Sequence, residues 1–303
     1  MKAIVTQGPY SSFFEEVALN NLVEGIRLNT IMPIKDGALE ERLATLAQLT
    51  HGKPLWVDLK ARQLRVKEFA NTPYTAVTVS HRIRVDLPTT VCFDNGNLSA
   101  TLVEVDGYRL ILEDYAGRLI GPGESVNILD ESLEYLDPDL LTSRDQEYVT
   151  ACLNLGISDY MLSFVEHADD VRVLRKLHPG CRVVAKIESQ KGLQNLAEIG
   201  AEADCLMAAR GDLYTEVPYP HDIVPALRRI EAEGHGNSVV ASRLLLSLLR
   251  HPVPSSADIM DLAFLLHMGF RRFMIGDDIC FNRDLLMRAL RVLRALGQAQ
   301  QGG

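Results

Sequence analysis

Paired cysteine is missing from this 303-residue chain: Cys92, Cys152, Cys181, Cys205 and Cys280 stand singly, with no CxxC among them. That excludes a disulfide framework and a zinc knuckle, and reads as reduced, buried thiols of a cytoplasmic protein. An excess of positive charge is missing too. Lys and Arg number 31 against 40 Asp and Glu, a formal net charge of −9, and no basic stripe appears. No nucleic-acid partner is therefore expected. No apolar run approaches the ~20 residues that span a bilayer. The opening Met1-Lys2-Ala3-Ile4-Val5 turns polar by Thr6-Gln7, so neither a secretory leader nor a membrane partner is expected. Internal repeats and low complexity are absent apart from the polar tail Gly297–Gly303, expected to fray. The remaining composition, 47% hydrophobic and 23% charged, is that of a globular protein able to bury a large core as one barrel or two domains.

Two carboxylates stand out. Glu188 follows the apolar run Val183-Val184-Ala185, and Asp212 follows Cys205-Leu206-Met207. Each precedes a turn or a helix start, which places two hard oxygen ligands side by side on one rim of a parallel sheet. With cationic side chains nearby, such a pair suits a divalent ion bound together with an anionic substrate, Mg²⁺ (or Mn²⁺) being the natural candidate. The alternative is two surface carboxylates, one pairing with Lys191 and the other capping a helix.

Strand and helix signals alternate along most of the chain. Strand-like runs fall at Ala3–Thr6, Gly25–Leu28, Leu55–Val57, Tyr160–Leu162, Arg182–Ile187, Cys205–Ala208, Val239–Ala241 and Arg272–Ile275. Helical spacing joins Leu39, Leu43, Leu46 and Leu49; then Val171, Leu174 and Leu177; Ile223, Leu227 and Ile230; and Ile259, Leu262, Ala263 and Leu266. Leu286–Leu296 supplies a last helix. Ser143-Arg144-Asp145-Gln146 reads as a capping box, and Gly156, Gly200, Gly234 and Gly269 stand where helices should end. Eight such units predict an α/β fold, a (β/α)8 barrel over residues 1–65 and 141–303. Between them, residues 66–140 switch to two-residue alternation at Ala76–Val79, Ile83–Val85, Val91–Phe93, Thr101–Val103 and Leu110–Leu112. The turns Asp94-Asn95-Gly96-Asn97, Asp106-Gly107 and Gly121-Pro122-Gly123 separate these runs. A small β-barrel inserted after strand 3, hanging over one rim as a lid domain, is expected.

Ordered motifs then resemble the pyruvate kinase family over nearly the whole chain. Ile4-Val5-Thr6-Gln7-Gly8-Pro9 is similar to I-x-C-T-I-G-P, and Arg27-Leu28-Asn29 to R-x-N of the second strand. Asp58-Leu59-Lys60 with Leu64-Arg65 is similar to D-T-K-G-P-E-I-R, and Phe93-Asp94-Asn95-Gly96 to V-D-D-G. Ser163-Phe164-Val165 resembles S-F-[IV]. Lys186-Ile187-Glu188 and Ala209-Arg210-Gly211-Asp212-Leu213 resemble K-I-E and A-R-G-D-L, while Val240-Ala241-Ser242-Arg243 falls on A-T-Q. The resemblance implies Glu188 and Asp212 as Mg²⁺ ligands, and Lys186 as the cation at the enolate oxygen and moving phosphoryl group. It implies Arg27, with Arg65, as phosphoryl contacts, and Ser242 in protonating the enolate methylene carbon. Ser163, Asn29 and the backbone around Ala209, Arg210, Gly211 and Asp212 would bind phosphoenolpyruvate or pyruvate.

The sequence also departs from that family. Ile31 and Leu59 replace two hydroxyl residues of the family's monovalent-cation site, which argues against a K⁺ requirement. Met32 and Gln63 replace a histidine and a glutamate, Glu166 an arginine, and Glu124 a lysine that contacts nucleotide phosphate. An anion beside a polyphosphate is repulsive, so ADP or ATP as the partner nucleotide is in doubt while the phosphoenolpyruvate half is retained. The chain stops after the eighth helix, so the family's C-terminal regulatory domain is expected to be absent, and a homo-oligomer would need other surfaces. Two other functions compete with phosphoryl transfer. One is a metal-dependent pyruvate-enolate aldolase or lyase, suggested by Glu188-Ser189-Gln190-Lys191-Gly192-Leu193. The other is a non-catalytic phosphoenolpyruvate sensor. Arg243 and Arg62 lack family counterparts and are either anion contacts or exposed rim residues.

Overall fold

In the computed structural model, which describes residues 1–70, 73 and 75–299, eight parallel strands close into a barrel. They are β1 Lys2–Thr6, β2 Val23–Asn29, β3 Leu55–Leu59, β4 Asp159–Leu162, β5 Arg182–Ile187, β6 Cys205–Ala209, β7 Val239–Ala241 and β8 Arg272–Ile275. Each pairs with its neighbour in chain order, and β8 closes on β1 through Lys2–Arg272 to Val5–Ile275. All eight predicted strands are present; three have the expected bounds and five extend one or two residues further at one or both ends.

The two-residue period explains where the functional side chains stand. Outward residues such as Val183, Ala185 and Ile187 join the main core under the helices, whereas Ile4, Trp56, Met161, Val184, Met207 and Met274 fill the barrel interior. One pleat further along, the same inward face carries Thr6, Asp58, Ser163 and Lys186, all buried. The strand register therefore lifts polar groups from an apolar plug to the carboxyl-end rim, where barrel enzymes build their sites. Gly25 is fixed by this packing. A Cβ there would lie 2.6 Å from the Trp56 indole nitrogen, so a larger residue would expel the tryptophan from the plug.

Residues between β3 and β4 form an antiparallel sheet in the order 76–78, 109–112, 98–106, 89–93, 126–128, beside a two-stranded ribbon of Ile83–Arg84 and Glu134–Tyr135. It has its own core of Leu64, Val66, Val77, Val91, Phe93, Leu102, Leu110 and Ile128. Residues 64–67 bridge the two edges of this sheet: Val126 donates to the Leu64 carbonyl on one side, and Lys67 donates to the Thr78 carbonyl on the other, with bridges Arg65–Ser125 and Val66–Val79. The strands Val126–Ile128 and Glu134–Tyr135 were not anticipated, being too short to show a period.

Two helix-end expectations need correction. The helix Ser143–Leu155 is capped by Thr142, one residue earlier than expected. Thr142 receives the Asp145 amide, and Asp145 also accepts from the amides of Lys60 and Ala61, which ties this helix to the end of β3. Gly200 lies inside the last turn of Leu196–Glu202 instead of ending it. A Cβ there would meet Glu233 at 3.0 Å, so close packing selects the glycine. Gly156 and Gly269 do end their helices with φ of 69° and 118°. The last helix, Arg283–Ala299, extends through Gly297, where fraying was expected, and residues 300–303 lie outside the described residues. Among the described residues no helix is long and apolar enough to cross a membrane.

Candidate active site

A cavity of about 500 Å³ opens at the carboxyl ends of the strands, lined by Arg27, Asn29, Gln63, Arg65, Lys186, Glu188, Ala209, Gly211, Asp212 and Ser242 among others. Nine of the eleven expected site residues line it. Two do not. Ser163 is fully buried beneath the floor, where it accepts from Lys186 Nζ at 2.8 Å and donates to Asp58 Oδ1 at 3.3 Å. Arg210 turns its guanidinium away to Asp261 (2.7 and 2.9 Å) and to the Ser242 carbonyl (3.0 and 3.2 Å). Ser163 stands on the inward face because it follows Met161 by two residues. Arg210, the first residue of its helix, points across to the helix Ser256–Met268.

Asp58 is the hub of the floor and is wholly excluded from solvent. Its Oδ2 accepts from Arg27 Nε at 2.8 Å and Lys60 Nζ at 2.9 Å, and its Oδ1 lies 3.4 Å from Lys186 Nζ. Burial works against the charge of Asp58, but Lys186, Lys60 and Arg27 overcome it and hold the carboxyl well below its usual range. Burial also works against the Lys186 ammonium, yet Asp58 and Glu188 (3.2 Å away) raise its pKa, so it stays charged. Lys60 goes the other way. Burial lowers it, and the neighbouring Lys186 and Arg27 add to the effect against the pull of Asp58. Arg27 is clamped from the other side by Asp277, which also receives Asn29 Nδ2 at 3.0 Å. Asp277 escaped the sequence reading although it too follows an apolar strand, in Ile275-Gly276-Asp277.

The acidic pair differs in its occupancy. Glu188 Oε2 accepts the Phe164 amide at 2.9 Å, and burial raises its pKa against the opposing pull of Lys186. Asp212 Oδ2 accepts from Gln63 Nε2 at 3.0 Å, while its Oδ1 is buried with no hydrogen-bond partner. An orphaned buried carboxylate oxygen costs free energy unless something binds it. Two hard oxygen donors, Glu188 just past the end of β5 and Asp212 in the first turn of the helix after β6, one with an orphaned oxygen, fit Mg²⁺ or Mn²⁺, which use one or two carboxylates and take remaining ligands from substrate and water. Among the described residues no group of three or more His, Cys, Asp or Glu is placed to hold a metal. Asn29 and Asp58 stand where the resemblance puts the two oxygen ligands retained from the family's monovalent-cation site, and both are engaged within the chain. Both Asp58 oxygens are already engaged, Asn29 Oδ1 takes the Ile31 amide at 3.3 Å, and Leu59 is buried in the core.

The inserted sheet reaches the rim through the turn Asp94–Gly96, where all three residues have positive φ. Gly96 is required there, because a Cβ would lie 2.9 Å from the Thr215 hydroxyl. Glu124, expected to repel polyphosphate, instead pairs with Arg118 at 2.7 Å and accepts the Gly121 amide, and does not line the cavity. Arg62 pairs with Asp170 and is likewise not a lining residue, whereas Arg243 is one. A second contact joins sheet and barrel: Asn127 Nδ2 donates to Glu216 Oε1 at 2.9 Å. Burial pushes the Glu216 carboxyl up to about 8, with Asp212, Glu166 and Glu188 adding to the shift against the Asn127 hydrogen bond.

Because that folded value lies above the ordinary 4.5, the native state holds the extra proton between the two. The stabilisation from this group is complete below about pH 4.5 and is lost as pH rises through about 8. Glu216→Gln, a permanent neutral mimic, is expected to flatten this slope and to gain on the order of a few kcal/mol over the parent at pH 9. Urea unfolding at pH 5 and pH 9 measures it, and identical pH slopes for the two proteins would remove the assignment.

Comparisons with known proteins agree with this geometry. A family model described as "Pyruvate kinase, barrel domain" matches residues 16–276. A pyruvate kinase of Methanocaldococcus jannaschii is 25% identical over 98% of this chain and 68% of its own length. One from Thermoplasma acidophilum is 27% identical over 97% of this chain and 57% of its own. One from Agrobacterium vitis is 31% identical over 60% of this chain and 38% of its own. Across these three relatives the chain thus spans between 38% and 68% of their length. A closed eight-stranded barrel with Lys186, Glu188 and Asp212 on one rim, and a family match covering most of the residues, place this chain in the pyruvate kinase family.

Proposed function

We propose that this chain is a Mg²⁺-dependent phosphotransferase of pyruvate kinase type, moving a phosphoryl group between phosphoenolpyruvate or pyruvate and an acceptor. The observation that carries this reading is one cavity whose lining brings the cations Arg27 and Lys186 together with the carboxylates Glu188 and Asp212. Mg²⁺, held by Glu188 and Asp212, would supply positive charge to the oxygens of the substrate. Everything else falls to the chain's own groups. First-turn amides around Gly211 have no partner within their helix and can receive the substrate carboxylate. Gly211 carries no side chain to obstruct that approach; a Cβ there would sit 3.4 Å from the Ser242 hydroxyl.

In the direction of pyruvate formation the bond from phosphorus to the enol oxygen breaks, and its electron pair stays on that oxygen. Lys186, kept charged by Asp58 and Glu188, faces this developing charge. Arg27, clamped between Asp58 and Asp277, and Arg65, bonded to Gln63 Oε1 at 2.9 Å, neutralise the moving phosphoryl group as it forms its bond to an acceptor oxygen. The methylene carbon then takes one proton, passed from solvent at the Ser242 hydroxyl. The segment 66–140 acts as a lid that excludes water through the turn 94–97. The five buried, unpaired thiols support a reducing, cytoplasmic location.

Incubation with Mg²⁺ and phosphoenolpyruvate, with and without ADP, followed by ³¹P NMR, tests the reading. Transfer of the phosphorus signal from phosphoenolpyruvate to ADP supports it with ADP as the acceptor. Loss of the substrate signal without ADP supports it with another acceptor. An unchanged spectrum in both arms would refute phosphoryl transfer.

A further inference from the structure

Resting on that phosphotransferase reading, we propose that Arg243 is the anchor for the acceptor, so that the acceptor enters carrying a compact oxyanion that this guanidinium binds. Arg243 lines the cavity beside Ser242, at the mouth between β7 and the turn 94–97. Its Nε donates to the Arg210 carbonyl at 3.2 Å, and its Nη2 donates to the Asn95 carbonyl at 3.0 Å. The guanidinium carbon sits 4.4 Å from the centre of the Tyr214 ring. Carbonyls and a ring fix the group in place, yet among the described residues it makes no ion pair. A half-buried guanidinium held by neutral partners keeps its full charge for a ligand, and its planar fork matches phosphate or carboxylate.

The backbone gives a second, independent sign. Ser242 and Arg243 have φ of 67° and 56°, a left-handed conformation that side-chain-bearing residues adopt at a cost. That conformation is maintained where it sets Arg243 over the cavity mouth. On the lid side, Arg118 lies 3.6 Å from Asp94 of the turn but is paired with Glu124 at 2.7 Å. The charge that receives the acceptor therefore stands on the barrel wall, and through Asn95 the same guanidinium holds the lid turn.

The test is a calorimetric titration of protein saturated with phosphoenolpyruvate and excess Mg²⁺, using inorganic pyrophosphate in one arm and malonate in the other. The wild type is expected to bind at least one probe, the preferred arm telling phosphate from carboxylate. Arg243→Gln should weaken that binding at least tenfold, and Arg243→Lys, which keeps the charge without the fork, should fall between. Binding by Arg243→Gln equal to wild type, or no binding of either probe to wild type, overturns this inference while leaving the phosphotransferase reading intact. Failure of phosphoenolpyruvate itself to bind wild type would sink that reading, and this inference with it.

Discussion

Lys186→Met should lower kcat for phosphoenolpyruvate turnover by about 10²–10³-fold, the usual cost of removing one preorganised charge from a transition-state site. The ammonium is buried, bonded to Ser163 and flanked by Asp58 and Glu188, so its position is set before substrate arrives. A group in that position gains most as charge develops on the enol oxygen, and the loss should fall on kcat more than on KM. Methionine preserves the volume, and Asp58 keeps Arg27 and Lys60 as partners, so the fold should survive. Steady-state kinetics beside a thermal melt separates the two effects. A variant that keeps more than a third of the parent kcat would remove Lys186 from the chemistry.

The second large effect is on stability. Asp58→Ala should destabilise the protein by about 3–5 kcal/mol, since it leaves buried cations without their counter-charge. Arg27, Lys60 and Lys186 all converge on this one carboxylate, which has no solvent exposure. Only Arg27 and Lys186 retain other acidic partners, Asp277 and Glu188. Lys60, whose pKa burial already lowers, is expected to shed its proton in the variant. The parent shows the complementary acid behaviour. The Asp58 pKa lies below its unfolded value, so its stabilisation is present above that value and disappears only as pH falls through the folded one. Urea denaturation of parent and variant at pH 7 measures the difference, and a change below about 1 kcal/mol would show that the hub is not structural.

The barrel was legible because each strand is a short apolar run ending in polar residues, and the helices between carry clear three- and four-residue spacing. Most of the rim was legible for the same reason: Arg27, Lys186, Glu188 and Asp212 all stand at or just past a strand end. What escaped depends on contacts between distant segments. Nothing local to Ile275-Gly276-Asp277 announces that Asp277 clamps Arg27, 250 positions away in sequence. Nothing local to Ser163 tells that it supports Lys186 from below instead of facing the cavity. Glu124 looked like a repulsive charge because Arg118, which neutralises it, belongs to an irregular segment with no period to read. The acidic character of Glu216 likewise hides a pKa raised by burial and by Asp212, Glu166 and Glu188, which the sequence alone does not bring together.

Calorimetric titration of phosphoenolpyruvate, with Mg²⁺ present and then chelated, in wild type and Asp212→Asn, probes the central claim most directly. The orphaned Asp212 oxygen and its neighbour Glu188 predict tight uptake only with the metal, and loss of most of that gain in the variant. Equal affinity with and without Mg²⁺, or an Asp212→Asn protein as responsive to the metal as its parent, would contradict it.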